Sequence, residues 1–174
     1  MTLLDIMAAG EWETLERELH ALSGMNTAVY DADGRRITGF ANWANTLCPA
    51  IKSNPNGLAS ICAVANRVIT AQAAGTGRPV VEECDAGLVK IAAPVVVRDG
   101  FLGSVGLCGL RLDGARPEVD YVARTLEMDP GEVARMAFQV ASVSRERAQE
   151  LAGFMAGRVR EILRAVGGPA LAEG

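Results

Sequence analysis

Histidine is almost absent from this chain, because His20 is the one histidine among 174 residues. Histidine titrates near neutral pH and is the usual general base and a common metal ligand. His20 falls off the apolar stripe of the helix predicted around it, so it is interpreted as a solvated helix residue. Most histidine-dependent chemistry is therefore excluded, and a thiol-lined site, with or without a metal, becomes the sharpest hypothesis.

Clustered positive charge is also missing. The chain has 17 Lys and Arg residues against 21 Asp and Glu residues, a net charge of −4, and no run of five like charges. Nucleic-acid binding depends on grouped Lys and Arg, so no nucleic-acid partner is expected. No apolar stretch reaches the length of a membrane span, and residues 1–7 lack the basic start of a signal peptide. These absences predict a cytoplasmic protein with no membrane partner.

Cysteine is present four times, spread singly over the middle of the chain as Cys48, Cys62, Cys84 and Cys108. The wide spacing contains no C-x-x-C pair of the kind found in zinc ribbons and in thiol oxidoreductases. In a reducing cytoplasm such thiols are expected to be free, redox-active or metal-bound rather than joined in structural disulfides.

The periodicity of apolar residues and the turn residues predict alternating helices and strands. Asn54-Pro55 is typical of a helix start, and the 31–34 and 98–100 segments carry the Asp and Gly of hairpin turns. The predicted strands are residues 27–30, 35–38, 79–83, 88–97 and 101–110. The predicted helices are residues 11–22, about 18 residues from Asn54, 117–127, 130–138 and 144–166.

These elements predict an α+β fold: a PAS/GAF-like antiparallel sheet of about five strands with flanking N- and C-terminal helices. The predicted organisation is an N-terminal extension over residues 1–9, one domain over 10–166 and a C-terminal tail over 167–174. The first and last helices each carry an apolar stripe, which core packing explains. A homodimer through these helices is a secondary hypothesis.

The predicted strands place the cysteines closer together in space than their wide spacing along the chain suggests. If the hairpin closes at residues 98–100, Cys108 lies opposite Lys90, and Cys84 approaches the same end of the sheet. Cys48 and Cys62 belong to a loop and helix expected to cover that end. Four thiolates at one pocket would suit zinc or an iron–sulfur cluster. The alternative is ordinary core packing, because free cysteine behaves as a small buried hydrophobe.

Several segments together resemble the PocR sensory domain family, over about residues 10–166. The opening Tyr30-Asp31-Ala32-Asp33-Gly34 is similar to the start of that family. The other segments that carry the resemblance are Leu47-Cys48-Pro49, Ile61-Cys62, Glu83-Cys84-Asp85-Ala86-Gly87-Leu88, Ala92-Ala93-Pro94-Val95-Val96-Val97 and Gly100-Phe101-Leu102-Gly103.

The resemblance implies a ligand-sensing module with a PAS/GAF-like fold, recognising small organic compounds such as diols. Such domains occur in transcription regulators, in sensor kinases and as stand-alone proteins. The family's three recurrent cysteines correspond to Cys48, Cys62 and Cys84. Cys108 stands where many members carry a glycine-glutamine ending to the strand, which removes a polar ligand contact and supplies a fourth thiol. This departure favours a cysteine-bound metal or cluster over a simple diol pocket.

Three further residues are candidates for contacting the bound group. Trp43 precedes Cys48 and is expected either to wall the pocket or to cover the edge of the core. Asp85 contacts the ligand or only serves its turn. Gly109 closes a glycine-rich strand segment that lacks the G-x-G-x-x-G spacing, so its glycines are expected to admit a ligand or another backbone close to the sheet.

The sequence therefore predicts a non-enzymatic ligand or redox sensor. It would bind a small molecule or a cysteine-ligated metal centre, with Cys48, Cys62, Cys84 and Cys108 as ligands to an iron–sulfur cluster or zinc. Its signal would pass to a separate partner protein, since these residues contain no effector segment. Two alternatives stay open: a thiol-dependent redox enzyme, and a protein in which zinc is purely structural.

Overall fold

The sheet at the centre of the computed structural model consists of four antiparallel strands in the order β1-β4-β3-β2, with a short β5 paired in parallel to the end of β4. The structure describes residues 1–98 and 100–167. Asp99 of the predicted turn and residues 168–174 of the predicted tail lie outside the described residues. The predicted α+β class with a PAS/GAF-like sheet and flanking helices is confirmed.

The elements follow one another with helices before, within and after the sheet. The strands are β1 (Asn26–Asp31), β2 (Val80–Glu83), β3 (Val89–Val97), β4 (Gly100–Leu112) and β5 (Ser142–Val143). The helices are α1 (Leu3–Ile6), α2 (Ala9–Ser23), α3 (Leu47–Ser53), α4 (Pro55–Gly57), α5 (Ala63–Thr76), α6 (Val119–Leu126), α7 (Pro130–Phe138) and α8 (Arg145–Gly167). A π-helical turn, Leu58–Cys62, joins α4 to α5.

One face of the sheet packs against the first and last long helices. Val29, Ile91 and Leu107 on the strands share a core with Trp12 of α2 and Leu151 of α8. Outside this core Arg158 of α8 pairs with Glu18 of α2 at 3.0 Å. The apolar stripes predicted for these two helices are therefore accounted for by packing within one chain.

The opposite face of the sheet is covered by the helical segment from α3 to α5. Asn54 caps α4, because its side-chain oxygen accepts from the backbone N–H groups of Asn56 and Gly57, as its sequence predicted. The segment ends at Gly77, which adopts a left-handed conformation with φ +63°. The π-helical turn between them ends at Cys62, and such turns often occur at functional sites.

Two local predictions were wrong. Residues 35–38 do not form a strand, because Arg36 makes only an isolated bridge to Tyr30 and its guanidinium bonds to Glu16 and to the Thr27 carbonyl. The fifth strand is β5 instead.

His20 is half-buried rather than solvated, and its Nδ1 donates to the Met25 carbonyl at 2.8 Å.

Candidate functional site

A small cavity lies between the sheet and the helical segment from α3 to α5, and all four cysteines of the chain line it. Its volume is about 50 Å³. The described residues that line it are Asn26, Tyr30, Cys48, Ile51, Lys52, Ile61, Cys62, Ala65, Cys84, Leu88, Lys90, Cys108 and Gly109. Segments up to 60 positions apart in the chain thus bring their thiols to one place, which we call the four-thiol cavity.

The sheet supplies two of the thiols. Cys108 of β4 pairs with Asn26 of β1 on one side and with Lys90 of β3 on the other, so the predicted register opposite Lys90 is confirmed. Cys84 directly follows β2, and its backbone N–H donates to the Leu88 carbonyl at 2.8 Å. This hairpin turn fixes Cys84 at the same end of the sheet as Cys108.

The helical segment supplies the other two thiols. Cys48 is the second residue of α3, and Cys62 is the last residue of the π-helical turn. Asn45 holds the start of α3: its Oδ1 accepts from the Cys48 backbone N–H at 2.7 Å, while its Nδ2 donates to Cys48 Sγ at 3.4 Å and to the Gly109 carbonyl at 2.6 Å. One amide therefore connects α3 to β4 and directs a donor at a thiol.

A second amide approaches a thiol from the sheet. Asn26 Nδ2 lies 3.8 Å from Cys108 Sγ, and Asn26 Oδ1 accepts from the Ala44 backbone N–H at 2.6 Å. Gly109 makes room for both amides. It has φ +101°, and a Cβ at this position would lie 2.6 Å from Asn26 Nδ2 and 3.3 Å from Asn45 Nδ2. The close approach expected at Gly109 is thus made by two side-chain amides.

Two positive charges face the same cavity. Lys90 is 7 % exposed, and its Nζ lies 5.4 Å from the centre of the Tyr30 ring. Lys52 of α3 is half-buried, with its Nζ 5.4 Å from the centre of the Trp43 ring. None of the described residues lining the cavity is acidic. The cavity therefore combines two ammonium groups with four thiols.

Burial favours the protonated form of Cys48, Cys62 and Cys84 in the absence of a bound group. Desolvation, reinforced by the neighbouring thiols, raises the pKa of Cys48 to about 12. Desolvation also raises the pKa of Cys62 to about 11, although Lys52 works in the opposite direction, and it raises the pKa of Cys84. Burial alone would lower the pKa of Lys52, but the charge that Tyr30 and the thiols carry when ionised outweighs it and leaves that pKa raised.

The thiols surround a volume and do not converge on a point. In residues 1–98 and 100–167, no group of three or more His, Cys, Asp or Glu side chains is placed so that it could hold a single metal ion. A tetrahedral zinc site needs four sulfur atoms at about 2.3 Å from one centre. The described residues therefore contain no preformed zinc site, although four cysteines line one cavity.

The structure places the predicted site residues unevenly. Gly109 and the four cysteines line the cavity, whereas Trp43 is 44 % exposed and reaches it only through Lys52. Asp85 is exposed in the turn after Cys84 and lines a surface groove outside the cavity.

Sequence reasoning missed three kinds of site residue: the two lysines, the two asparagines and Tyr30. A signal for the lysines was available, because Lys52 and Lys90 are the only lysines in the chain and Lys90 interrupts an apolar strand. The asparagines carried no comparable signal.

An antiparallel sheet with a helical segment closed over a small cavity defines a small α+β domain with an internal binding site. The family comparison agrees: the model described as the sensory domain found in PocR matches residues 5–165. The chain belongs to the PocR sensory domain family, so its role is sensory and implies a ligand and downstream signalling. Searches among curated proteins and among solved structures found no match. Within the described part of the chain, none of the helices is both long and apolar enough to cross a membrane.

Proposed function

We propose that this sensory domain binds an iron–sulfur cluster in the four-thiol cavity, with Cys48, Cys62, Cys84 and Cys108 as its ligands, and that the state of the cluster is what the domain senses. The observation that carries the proposal is that the four cysteines of the chain, from four separate segments, line one small cavity. Four cysteines are the usual ligand set of both common cluster types.

The four-cysteine donor set suits a cluster, and the described residues contain no preformed site for a single zinc ion. A cluster is a multi-atom core held at its corners, so its ligands surround a volume, whereas zinc draws its ligands to one point. The thiols line a cavity of about 50 Å³, and no three potential ligands among the described residues are grouped around one ion position. The amides of Asn26 and Asn45 supply N–H donors to two of the sulfur atoms, which is one way proteins tune cluster potentials.

The chain's own residues then have defined tasks. The cysteines hold the cluster, the two amides orient Cys48 and Cys108, and Ile51, Ile61 and Leu88 exclude water from the cavity. A change at the cluster would be felt first by α3 and the π-helical turn, because each carries one ligand on a short helical element. The signal would pass from there to a partner protein.

The test of this proposal is metal analysis of protein purified without air. We expect bound iron and acid-labile sulfide in similar amounts, with visible absorption that bleaches on exposure to oxygen. A colourless, correctly folded product that contains neither iron nor sulfide after anaerobic reconstitution would refute the cluster. Zinc in place of iron, with a domain that unfolds when zinc is chelated, would support a structural zinc site instead.

A second candidate is a small organic ligand, favoured by the polar groups of Asn26, Tyr30 and Lys90 inside the cavity. A volume of about 50 Å³ is far below the several hundred Å³ of a drug-sized pocket. This size favours a compact bound group and does not distinguish a diol-sized compound from a cluster. Saturable binding of such a compound to iron-free protein, measured by calorimetry, would favour it over the cluster.

The thiol-dependent enzyme is weakened by the thiol pKa values. A catalytic cysteine needs a lowered pKa, whereas burial raises the pKa of Cys48 to about 12 and of Cys62 to about 11. In iron-free folded protein we expect alkylation of these thiols near pH 8 to be roughly 100-fold slower than that of free cysteine, because so little thiolate is present. The rate should rise about tenfold per pH unit until the raised pKa is reached.

Mass spectrometry after iodoacetamide pulses checks this expectation, with urea-unfolded protein as the control for full reactivity. One thiol that reacts near neutral pH as fast as free cysteine would contradict it and revive the enzyme.

A further inference from the structure

The two lysines are the feature of the cavity that the proposed ligand set leaves unexplained. The chain contains fifteen arginines and two lysines, and both lysines line the four-thiol cavity. Arginine presents a planar fork suited to carboxylates, whereas a lysine ammonium is a compact point charge without a preferred plane. The ion pairs elsewhere in the described residues all use arginine.

Neither ammonium group has an acidic partner in the described part of the chain. Glu82 lies opposite Lys90 on β2, but its side chain is exposed, and the ion pairs among the described residues do not join it to Lys90. The charged and titratable groups that face the two ammonium groups inside the cavity are the four thiols and the Tyr30 hydroxyl. The aromatic rings of Tyr30 and Trp43 offset part of the burial cost, but they do not neutralise a charge.

The described lining of the cavity therefore contains two ammonium groups and no carboxylate to pair with them, and burial of an unpaired charge is costly. A cluster core with two positive charges, bound by four thiolates, carries two negative charges in total. The two ammonium groups are opposite to that charge in sign and equal to it in number.

This inference rests on the proposed function. We propose that Lys52 and Lys90 are charge-compensating residues for the bound cluster. The cavity then selects a bound group that carries two negative charges in total, the thiolates included. Lys90 acts from the sheet beside Cys108, its cross-strand neighbour, and Lys52 acts from α3, one helical turn beyond Cys48. Removal of either charge leaves an excess of negative charge in a poorly solvated cavity. The bound state is then weakened, and addition of a further electron is opposed more strongly.

The decisive test is a substitution of Lys90 that should have opposite effects on the stability of the iron-free protein and on the retention of the cluster. Lys90→Met keeps the length and apolar volume of the side chain and removes its charge. In iron-free protein it should raise the midpoint of thermal unfolding, because an unpaired buried charge is gone. In cluster-loaded protein it should speed the transfer of iron to a chelator by at least tenfold.

The same substitution should also shift the ratio of reduced to oxidised cluster at a fixed potential, set by an electrode with redox mediators, at least tenfold toward the oxidised form. Lys52→Met should act in the same directions. Lys52→Arg, which keeps the charge at the more exposed position, should behave like the unsubstituted protein. Arg67→Met, on the solvent-facing side of α5, is the matched control for loss of a positive charge away from the cavity.

The outcomes separate this inference from the proposed function. If the unsubstituted protein holds iron, and Lys90→Met and Lys52→Met release it at the unsubstituted rate with an unchanged reduced-to-oxidised ratio, the charge role is refuted while the cluster stands. If no form of the protein holds iron, the cluster itself is refuted. If Lys90→Met destabilises both the iron-free and the loaded forms equally, Lys90 is a structural residue and the inference fails.

Discussion

The Cys108→Ser protein should hold at least tenfold less iron than the unsubstituted protein. This is the largest effect that we expect from any single substitution. Even outer-shell partners of metal ligands are worth about 10–100-fold in affinity, and Cys108 is proposed as a ligand itself. It lies on β4, paired on both sides, so no neighbouring segment can move another donor into its place. Iron and sulfide analysis after anaerobic reconstitution measures the loss.

The matched control for Cys108→Ser is Ala71→Ser, which places a hydroxyl group on the exposed side of α5 away from the cavity. It should leave the iron content unchanged. The prediction also separates a four-thiol site from a three-thiol site. Loss of iron in Cys48→Ser, Cys62→Ser and Cys84→Ser, with full retention in Cys108→Ser, would show that Cys108 is not a ligand.

Gly109→Ala should disturb the site without changing any proposed ligand. A side chain at φ +101° strains the backbone by about 1–3 kcal/mol. Its Cβ would lie 2.6 Å from Asn26 Nδ2 and 3.3 Å from Asn45 Nδ2, the two amides that approach Cys108 and Cys48. We expect the free energy of unfolding to fall by about that amount and iron to be released several-fold faster.

Gly75→Ala is the control for this substitution, because Gly75 lies within α5 and a Cβ there meets no atom within 4 Å. It should stabilise the protein by up to about 1 kcal/mol, since alanine favours helix more than glycine does. Urea unfolding monitored by circular dichroism gives both values. A Gly109→Ala protein as stable as Gly75→Ala, with unchanged iron release, would show that the packing of the two amides on Gly109 does not matter.

The elements that local sequence determines were predicted closely. The helix over residues 130–138 has the bounds that were predicted; in the structure it starts at Pro130, and the Asp129 side chain caps it by accepting from the Glu132 backbone N–H. The register of Cys108 opposite Lys90 followed from the length of one hairpin turn. The strand predicted at residues 35–38 failed because Arg36 finds its partners in Glu16 and Thr27, contacts that no local pattern contains.

The candidate site was predicted only in part. The cysteines could be singled out because a chain with one histidine leaves few other metal-binding side chains, and Gly109 because it ends a glycine-rich strand segment. Trp43 and Asp85 are near those cysteines in sequence, yet one projects over Lys52 and the other into a surface turn. Asn26 and Asn45 could not be found, since their role depends on the approach of β4 to two separate segments.

The sequence by itself determined which thiols exist, where most of the helices and strands lie, and to which family the chain belongs, because periodicity, caps and turns act over a few neighbouring residues. Only the tertiary structure decided that four thiols and both lysines face one cavity free of acidic side chains among its described lining. That outcome depends on strand register and on how α3 and the π-helical turn lie across the sheet. These relations involve segments that are far apart in the sequence, and their side chains come together only after the chain has folded.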